Sequence, residues 1–268
     1  MPDYKLTQIW IYPIKSLGGI SLMSAQVMGK GLQHDRRRML IDETNTGMTQ
    51  RTFSKMALFK TSISNGYLNI KYGPHELSVN LEENDESNPL KVNIWKDQVK
   101  AFEVGPMFSQ WFSDMLNIKC KLVFFPEENS RPVDPRYTVN EENVSLADAY
   151  PFLIIGQSSL DDLNSRLNEE VPINRFRPNF VFQGGKPYEE DSWRAFTIGG
   201  VRFVGVKSCE RCVLPTVNQD TSERGVEPLK TLSSYRKRYN KVYFGRNLVA
   251  HDNKTVNVGD NIVVEQIP

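Results

Sequence analysis

The sequence predicts an α+β fold of a β-rich, barrel-like class with a few helices. Three observations lead there. Short runs dense in Ile, Val, Phe, Trp and Tyr recur along the whole chain. Turn signals rich in Gly, Asn and Asp separate them. Segments with apolar residues at helical spacing are few and short.

Residues 5–12 alternate roughly between apolar and polar and read as the opening strand. Residues 38–42 read as another, stopped by the turn signal Asn45-Thr46-Gly47. The acidic stretch 82–87 reads as a solvated loop. Residues 92–95 and 99–102 look like the two sides of a hairpin. A helix is expected over 105–116, where Phe108, Trp111, Phe112 and Met115 give one core-packing face. From 126 to 136 the chain turns polar and carries Pro126, Pro132 and Pro135, so a domain boundary is placed there, between regions 1–125 and 126–268. Residues 151–155 read as a buried strand. Ser158-Ser-Leu-Asp161 has a capping-box pattern and opens a helix with Leu160, Leu163 and Leu167 on one face. Strands follow at 179–182 and 201–206, and 227–237 reads as helix. Residues 256–264 read as a closing hairpin turning at Gly259-Asp260. No internal repeat or low-complexity tract is present.

The chain has 268 residues, 39% hydrophobic and 24% charged, as expected of an ordinary globular protein. A formal net charge of +1 provides no global field to recruit nucleic acid or an anionic membrane, so neither is an expected partner. Three cysteines fit a reducing compartment. The first residues lack a signal-peptide layout, and no apolar run approaches the roughly 20 residues a membrane-spanning helix needs. The expected location is the cytoplasm.

Chemistry is concentrated in Val206-Lys-Ser-Cys209-Glu-Arg-Cys212-Val-Leu-Pro. A thiolate is the reactive and metal-ligating form of cysteine, and a neighbouring guanidinium such as Arg211 favours it. A structural zinc site needs a second ligand pair, and His34, His75 and His251 are scattered. A redox dithiol would open a helix, for which Val213-Leu-Pro-Thr216 is poor sequence. On residues alone, an inert buried pair stays open. Elsewhere, Arg36, Arg37 and Arg38 start a strand, on which Arg36 and Arg38 would share one face and could hold a phosphate. A charged edge strand explains them equally well. Lys15-Ser16, before Leu17-Gly-Gly19, can offer ammonium, hydroxyl and N–H groups to an anion without being a P-loop. Arg177, preceding Pro178, is expected in an extended conformation, with Asn179 offering a donor and an acceptor.

Taken together and in order, several stretches resemble the MOSC family. They are Tyr12-Pro-Ile-Lys15-Ser16, Gly31-Leu32 through Asp35-Arg36, Asp148 through Leu153, Asp162 through Leu167, Phe176-Arg177-Pro-Asn179, Glu190-Asp-Ser-Trp193 and Cys209-Glu-Arg-Cys212. The resemblance is to the architecture of amidoxime-reducing components and bacterial YcbX-type proteins. It implies an N-terminal β-barrel region over 1–125 and a MOSC β-barrel domain over 126–268. It further implies that Cys212 ligates molybdenum carried on molybdopterin. Lys15, Ser16, Arg36, Arg177, Asn179 and Arg211 match cofactor-binding positions, and Tyr150 a lining position. Asp148 matches an acidic residue near the metal, where a proton-relay role is a hypothesis. Cys209 matches a non-ligand position.

The implied activity is reduction of N-hydroxylated substrates such as amidoximes, hydroxylamines or N-hydroxylated bases. Some YcbX-type relatives carry a ferredoxin domain with Cys-x4-Cys-x2-Cys spacing, which this sequence lacks. Electrons are therefore expected from a separate donor, a flavin reductase and/or an iron–sulfur or cytochrome protein. The alternative, from resemblance to the C-terminal part of molybdenum-cofactor sulfurases, is a carrier that holds and delivers the cofactor or sulfur without reducing anything itself. A metal-free structural protein would instead tolerate loss of the Cys212 sulfur.

Overall fold

The computed structural model describes residues 3–265. Strands take 40% of residues against 17% helical, which settles the β-rich class. Seven strands close a barrel: β1 (Tyr4–Ile11), β2 (Phe152–Gly156), β3 (Phe180–Gln183), β4 (Ala195–Ile198), β5 (Val201–Arg211), β6 (Lys241–Ala250) and β7 (Asn261–Val264). Around the barrel the order is β2-β3-β1-β7-β4-β5-β6, and β6 pairs back onto β2. Strand β1, from the start of the chain, is thus built between strands of the second region.

Side-chain alternation on β2 and β3 explains their unbroken apolar runs. Phe152, Ile154, Phe180 and Phe182 join the barrel core with Leu6, Phe196, Phe203 and Leu248. The intervening Leu153, Ile155 and Val181 point the other way, into a layer completed by Leu160, Leu163, Phe176, Leu232 and Phe244. Both faces are buried, so polar residues have no place on either. Strands β2 and β3 run parallel, which requires a crossover. Helix α2 (Gln157–Asn164) provides it.

In the first region, strands Arg38–Ile41, Lys121–Phe124, Asp97–Glu103 and Pro89–Ile94 form one antiparallel sheet and Lys60–Ser64, Tyr67–Tyr72 and His75–Asn80 another. Helix α1 (Pro106–Leu116) packs Phe112 and Leu116 against Leu68, Ile70 and Leu122. The expected 92–95/99–102 hairpin is present with its turn at Trp95-Lys96.

Three sequence expectations are corrected. The capping box does not form. Helix α2 starts one residue earlier, behind Gly156, and the Ser158 hydroxyl is buried without a hydrogen bond. Glu190 serves this end instead, accepting from Gly156 N (3.1 Å) and Ser159 Oγ (2.9 Å). The closing hairpin also fails. Asp260 turns the chain, but Thr255–Asn257 pairs with Ser24–Met28 while β7 pairs with β1 and β4. Each short arm finds a longer partner elsewhere. Finally, 227–237 shortens to helix α3 (Leu229–Tyr235), with Pro228, which lacks the N–H an interior turn needs, at its N-cap.

Glu190 is fully buried, and burial pushes its carboxyl up to about 7 against the hydrogen bonds from Gly156 and Ser159. The folded state therefore binds a proton between pH 4.5 and 7 that the unfolded chain has released. Stability from this group is complete below 4.5 and is lost as pH rises through 7, by on the order of 3 kcal/mol. Glu190→Gln is expected to flatten that pH dependence and to melt higher than wild type at pH 8. Parallel melting curves at pH 5, 7 and 8 would contradict it.

Candidate functional site

One cavity of about 240 Å³ opens where the chain leaves or enters four barrel strands. After β1 come Lys15 and Ser16. Before β2 come Asp148 and Tyr150. Before β3 come Arg177 and Asn179, and at the end of β5 come Arg211 and Cys212. Arg36 reaches in from the turn after Gly31–Leu32. Lys15, Ser16, Arg36, Asp148, Tyr150, Arg177, Asn179, Arg211 and Cys212 all line this cavity, whereas Arg37 and Arg38 do not.

Backbone conformation is unusual here. Ser16 (φ 66°), Arg36 (φ 51°) and Arg177 (φ 54°) are all left-handed non-glycine residues. Such conformations cost about 1–3 kcal/mol each in strained cases and gather at functional sites. The expectation of an extended Arg177 is therefore corrected. Residues 173–175 form a 3-10 turn, Arg177 N closes on Asn174 O, and Arg36 Nη2 holds the Arg177 carbonyl at 3.1 Å. Strand β5 carries two register shifts, at Gly205/Lys207 and Ser208/Glu210. Bulges of this kind re-aim side chains beside active sites. At Gly205 a Cβ would lie 2.1 Å from Trp193 O, so only glycine fits the bend.

The three consecutive arginines diverge rather than alternate on a strand. Only Arg38 is in a strand, since the left-handed turn at Arg36 precedes it. Arg36 Nη1 binds Asp35 (2.7 Å) and faces the cavity. Arg37 pairs with Glu127 and donates to Asp35 O. Arg38 is buried against Asn84 and the Phe124 ring. The edge-strand alternative fails too, because Arg37 and Arg38 are buried.

Cations dominate the lining. The guanidiniums of Arg36 and Arg177 lie 4.4 and 4.1 Å from the buried Tyr12 ring. Arg177 Nη1 donates to Leu17 O (2.7 Å), while its Nη2 is buried without a partner. Burial pulls this group down to about 10, so it is still charged at neutrality. Arg211 donates to Phe244 O and Phe176 O, and its Nη2 is likewise orphaned. Buried N–H groups without acceptors are rare in folded proteins. Arg51, Arg177 and Arg211 each carry one such group and line one cavity, which fits an anionic ligand. Asn179 is a brace: its Oδ1 accepts from Leu153 N (3.2 Å) and Arg36, and its Nδ2 donates to Trp10 O. Tyr150 packs edge-on to Tyr137.

Lys15 and Asp148 form an ion pair in the cavity. Lys15 Nζ donates to Asp148 Oδ1 at 2.6 Å and to Leu146 O at 2.8 Å. Burial lowers the ammonium to about 8, opposed by Asp148. Burial raises the Asp148 carboxyl, but the charges of Lys15 and Arg51 outweigh it and hold the group well below the usual carboxylate range.

Both cysteines line the cavity, but their surroundings differ. Cys209 lies within β5, packs against the outer apolar layer, and its thiol is pushed up by burial. Cys212 follows the strand end, and its Sγ accepts from Leu214 N at 3.5 Å. Among the described residues no group of three His, Cys, Asp or Glu could hold a metal. A metal here would take at most two ligands of these types from the described residues and its others from elsewhere. Sequence reasoning missed Arg51, Lys207, Arg175 and Asn247, which also line the cavity, and Asp35, which fixes Arg36.

The MOSC N-terminal beta barrel domain matches residues 4–119, and the MOSC domain residues 141–263. Mitochondrial amidoxime-reducing component 1 of Mus musculus is 33% identical over 96% of this chain and 81% of its own length. The Homo sapiens protein of that name is 31% identical over 96% and 82%. The molybdenum cofactor sulfurase of Arabidopsis thaliana is 30% identical over 91% of this chain but 33% of its own length. With both domains matched in order and 31–33% identity to amidoxime-reducing components over 96% of its length, the chain belongs to the MOSC family.

Proposed function

We propose that this protein is a molybdenum-cofactor-dependent reductase of N-hydroxylated compounds. The observation that carries the reading is the convergence of Cys212 with cationic side chains from separate segments, three of them (Arg51, Arg177 and Arg211) with an unpartnered N–H group, on one cavity. Its relatives named amidoxime-reducing component support the reaction class.

The residues present fit the cofactor. Arg177 and Arg211, each lining the cavity with one unpartnered N–H group, could pair with an anion such as the molybdopterin phosphate, and Lys15, Ser16 and Arg36 complete the polar wall. Thiolate is a soft ligand suited to a sulfur-rich metal, and Cys212, which the family resemblance matches to the ligand position, is the cysteine proposed for that place. Asn179 keeps Arg36 in position, and Tyr150 bounds the opening. Bound here, molybdenum on molybdopterin would supply the two-electron reduction of an N–OH group to N–H with loss of water.

That reaction consumes protons as well as electrons. Lys15 holds one at Nζ that it can release near neutrality, and Asp148 keeps the ammonium pointed into the cavity. Asp148 thus takes part in the relay through Lys15. Asp148→Asn is expected to lower turnover about 100-fold, the contribution of one general acid, with molybdenum content unchanged. Unchanged turnover at full loading would remove Asp148 from the mechanism.

Electrons come from a separate flavin, iron–sulfur or cytochrome donor in this reading. Among the described residues no helix is long and apolar enough to cross a membrane, and a cytoplasmic location is kept as part of the proposal. The direct test is turnover of an amidoxime by molybdenum-loaded protein with a chemical reductant. Reduction to the amidine is expected. Full loading without turnover of any N-hydroxylated compound would instead favour the carrier role, to which the sulfurase match points.

A further inference from the structure

The first region also carries one exposed aromatic side chain that contacts two cavity-lining residues, Arg51 and Asp148. Trp95 sits in the two-residue turn between Pro89–Ile94 and Asp97–Glu103 and has φ 54°. Asn, Asp or Gly would take that conformation with less strain. A bulky residue held there marks a constraint to explain.

The side chain does not enter a core, and Trp95 is 50% exposed. It reaches across to the second region, where Nε1 donates to Asp148 Oδ1 at 3.2 Å. The Arg51 guanidinium stacks 4.1 Å from the ring centroid and donates to Asp148 Oδ2 at 2.7 Å. Arg51 and Asp148 both line the cavity. The hairpin is pinned on both sides of the turn. Asn93 exchanges backbone hydrogen bonds with Asn45 and Gly47, and Asp97 binds the buried Arg131, which also holds the Ser145, Ala147 and Asp148 carbonyls. A polar side chain would suffice to bind Asp148. An indole fixed by strain, with Arg51 on its ring and half of its surface open, provides a flat apolar face as well.

We infer that Trp95 is a substrate-binding residue, its exposed indole stacking on the planar, conjugated part of an N-hydroxylated substrate. The N–OH end then enters the cavity that Arg51, Asp148 and Cys212 share. This rests on the reductase reading and adds the substrate class: aryl or heteroaryl compounds over small aliphatic ones.

The test compares wild type, Trp95→Ala and Trp95→Phe with benzamidoxime and acetamidoxime. Binding is measured by titration calorimetry, and turnover is measured on molybdenum-loaded protein. Trp95→Ala is expected to weaken benzamidoxime binding about tenfold, in the range of one aromatic stacking contact. The benzamidoxime/acetamidoxime ratio of kcat/KM should fall by about the same factor, and Trp95→Phe should restore most of both. Equal losses on the two compounds, or no loss on either, would overturn the inference. Trp95-dependent binding of benzamidoxime without turnover by wild type would uphold the platform and overturn the reductase reading instead.

Discussion

Arg131→Met is expected to lower the unfolding free energy by about 3 kcal/mol, mainly from carbonyls left without their donor, because the Asp97 partner is one-third exposed. Arg131 is 3% exposed and lies in the irregular segment between the two matched domains. Its Nε binds Asp97 Oδ2 at 2.9 Å. Nη1 holds Ser145 O and Ala147 O at 2.8 and 2.6 Å, and Nη2 holds Asp148 O at 3.1 Å. Methionine fills similar volume but leaves three carbonyls and a carboxylate without this donor. The same change frees the loop carrying Asp148 from the hairpin carrying Trp95. Urea unfolding measures the first effect. Turnover at full metal loading measures the second, which is expected to fall even where the protein is folded. A variant within about 1 kcal/mol of wild type, an effect the size of a single net hydrogen bond, and with unchanged turnover, would show that Arg131 is not the clamp.

Much of the cavity was legible because its chemistry sits in short motifs. Lys15-Ser16, Arg36, Arg177 to Asn179 and Arg211-Cys212 each combine charge with a turn, and all of them line one cavity. What the sequence hid was distance. Arg51 and Trp95 lie 97 and 53 residues from Asp148 in the chain, and nothing local marks either as its neighbour. The one available signal was a Trp-Lys pair at a hairpin turn where Asn-Gly is the ordinary choice. Strand existence was legible from apolar runs, but pairing was not. β1 joins β3 across more than 170 residues, and the arms of the supposed closing hairpin each prefer a remote partner. Arg177 defied the pre-proline rule because local φ preferences of a kcal/mol or two yield to a network of buried hydrogen bonds.

Cys212→Ser should leave the fold intact and remove the metal. The side chain is half-buried at the end of β5, where its Sγ accepts one backbone N–H. Serine keeps that acceptor and nearly the same volume, so the cavity wall stands. What it loses is the soft thiolate, since a hydroxyl is a poor ligand for a sulfur-bound metal. Cys209→Ser is the matching control, because that thiol packs in the outer apolar layer and should cost stability without costing metal.

The measurement that tests the account most directly is molybdenum and pterin content after expression with molybdate in a cofactor-competent host, wild type beside Cys212→Ser. Near-stoichiometric molybdenum with fluorescent pterin in wild type, and loss of the metal in the folded variant, is the predicted result. A folded wild type holding neither, or a Cys212→Ser variant holding as much molybdenum as wild type, would contradict it.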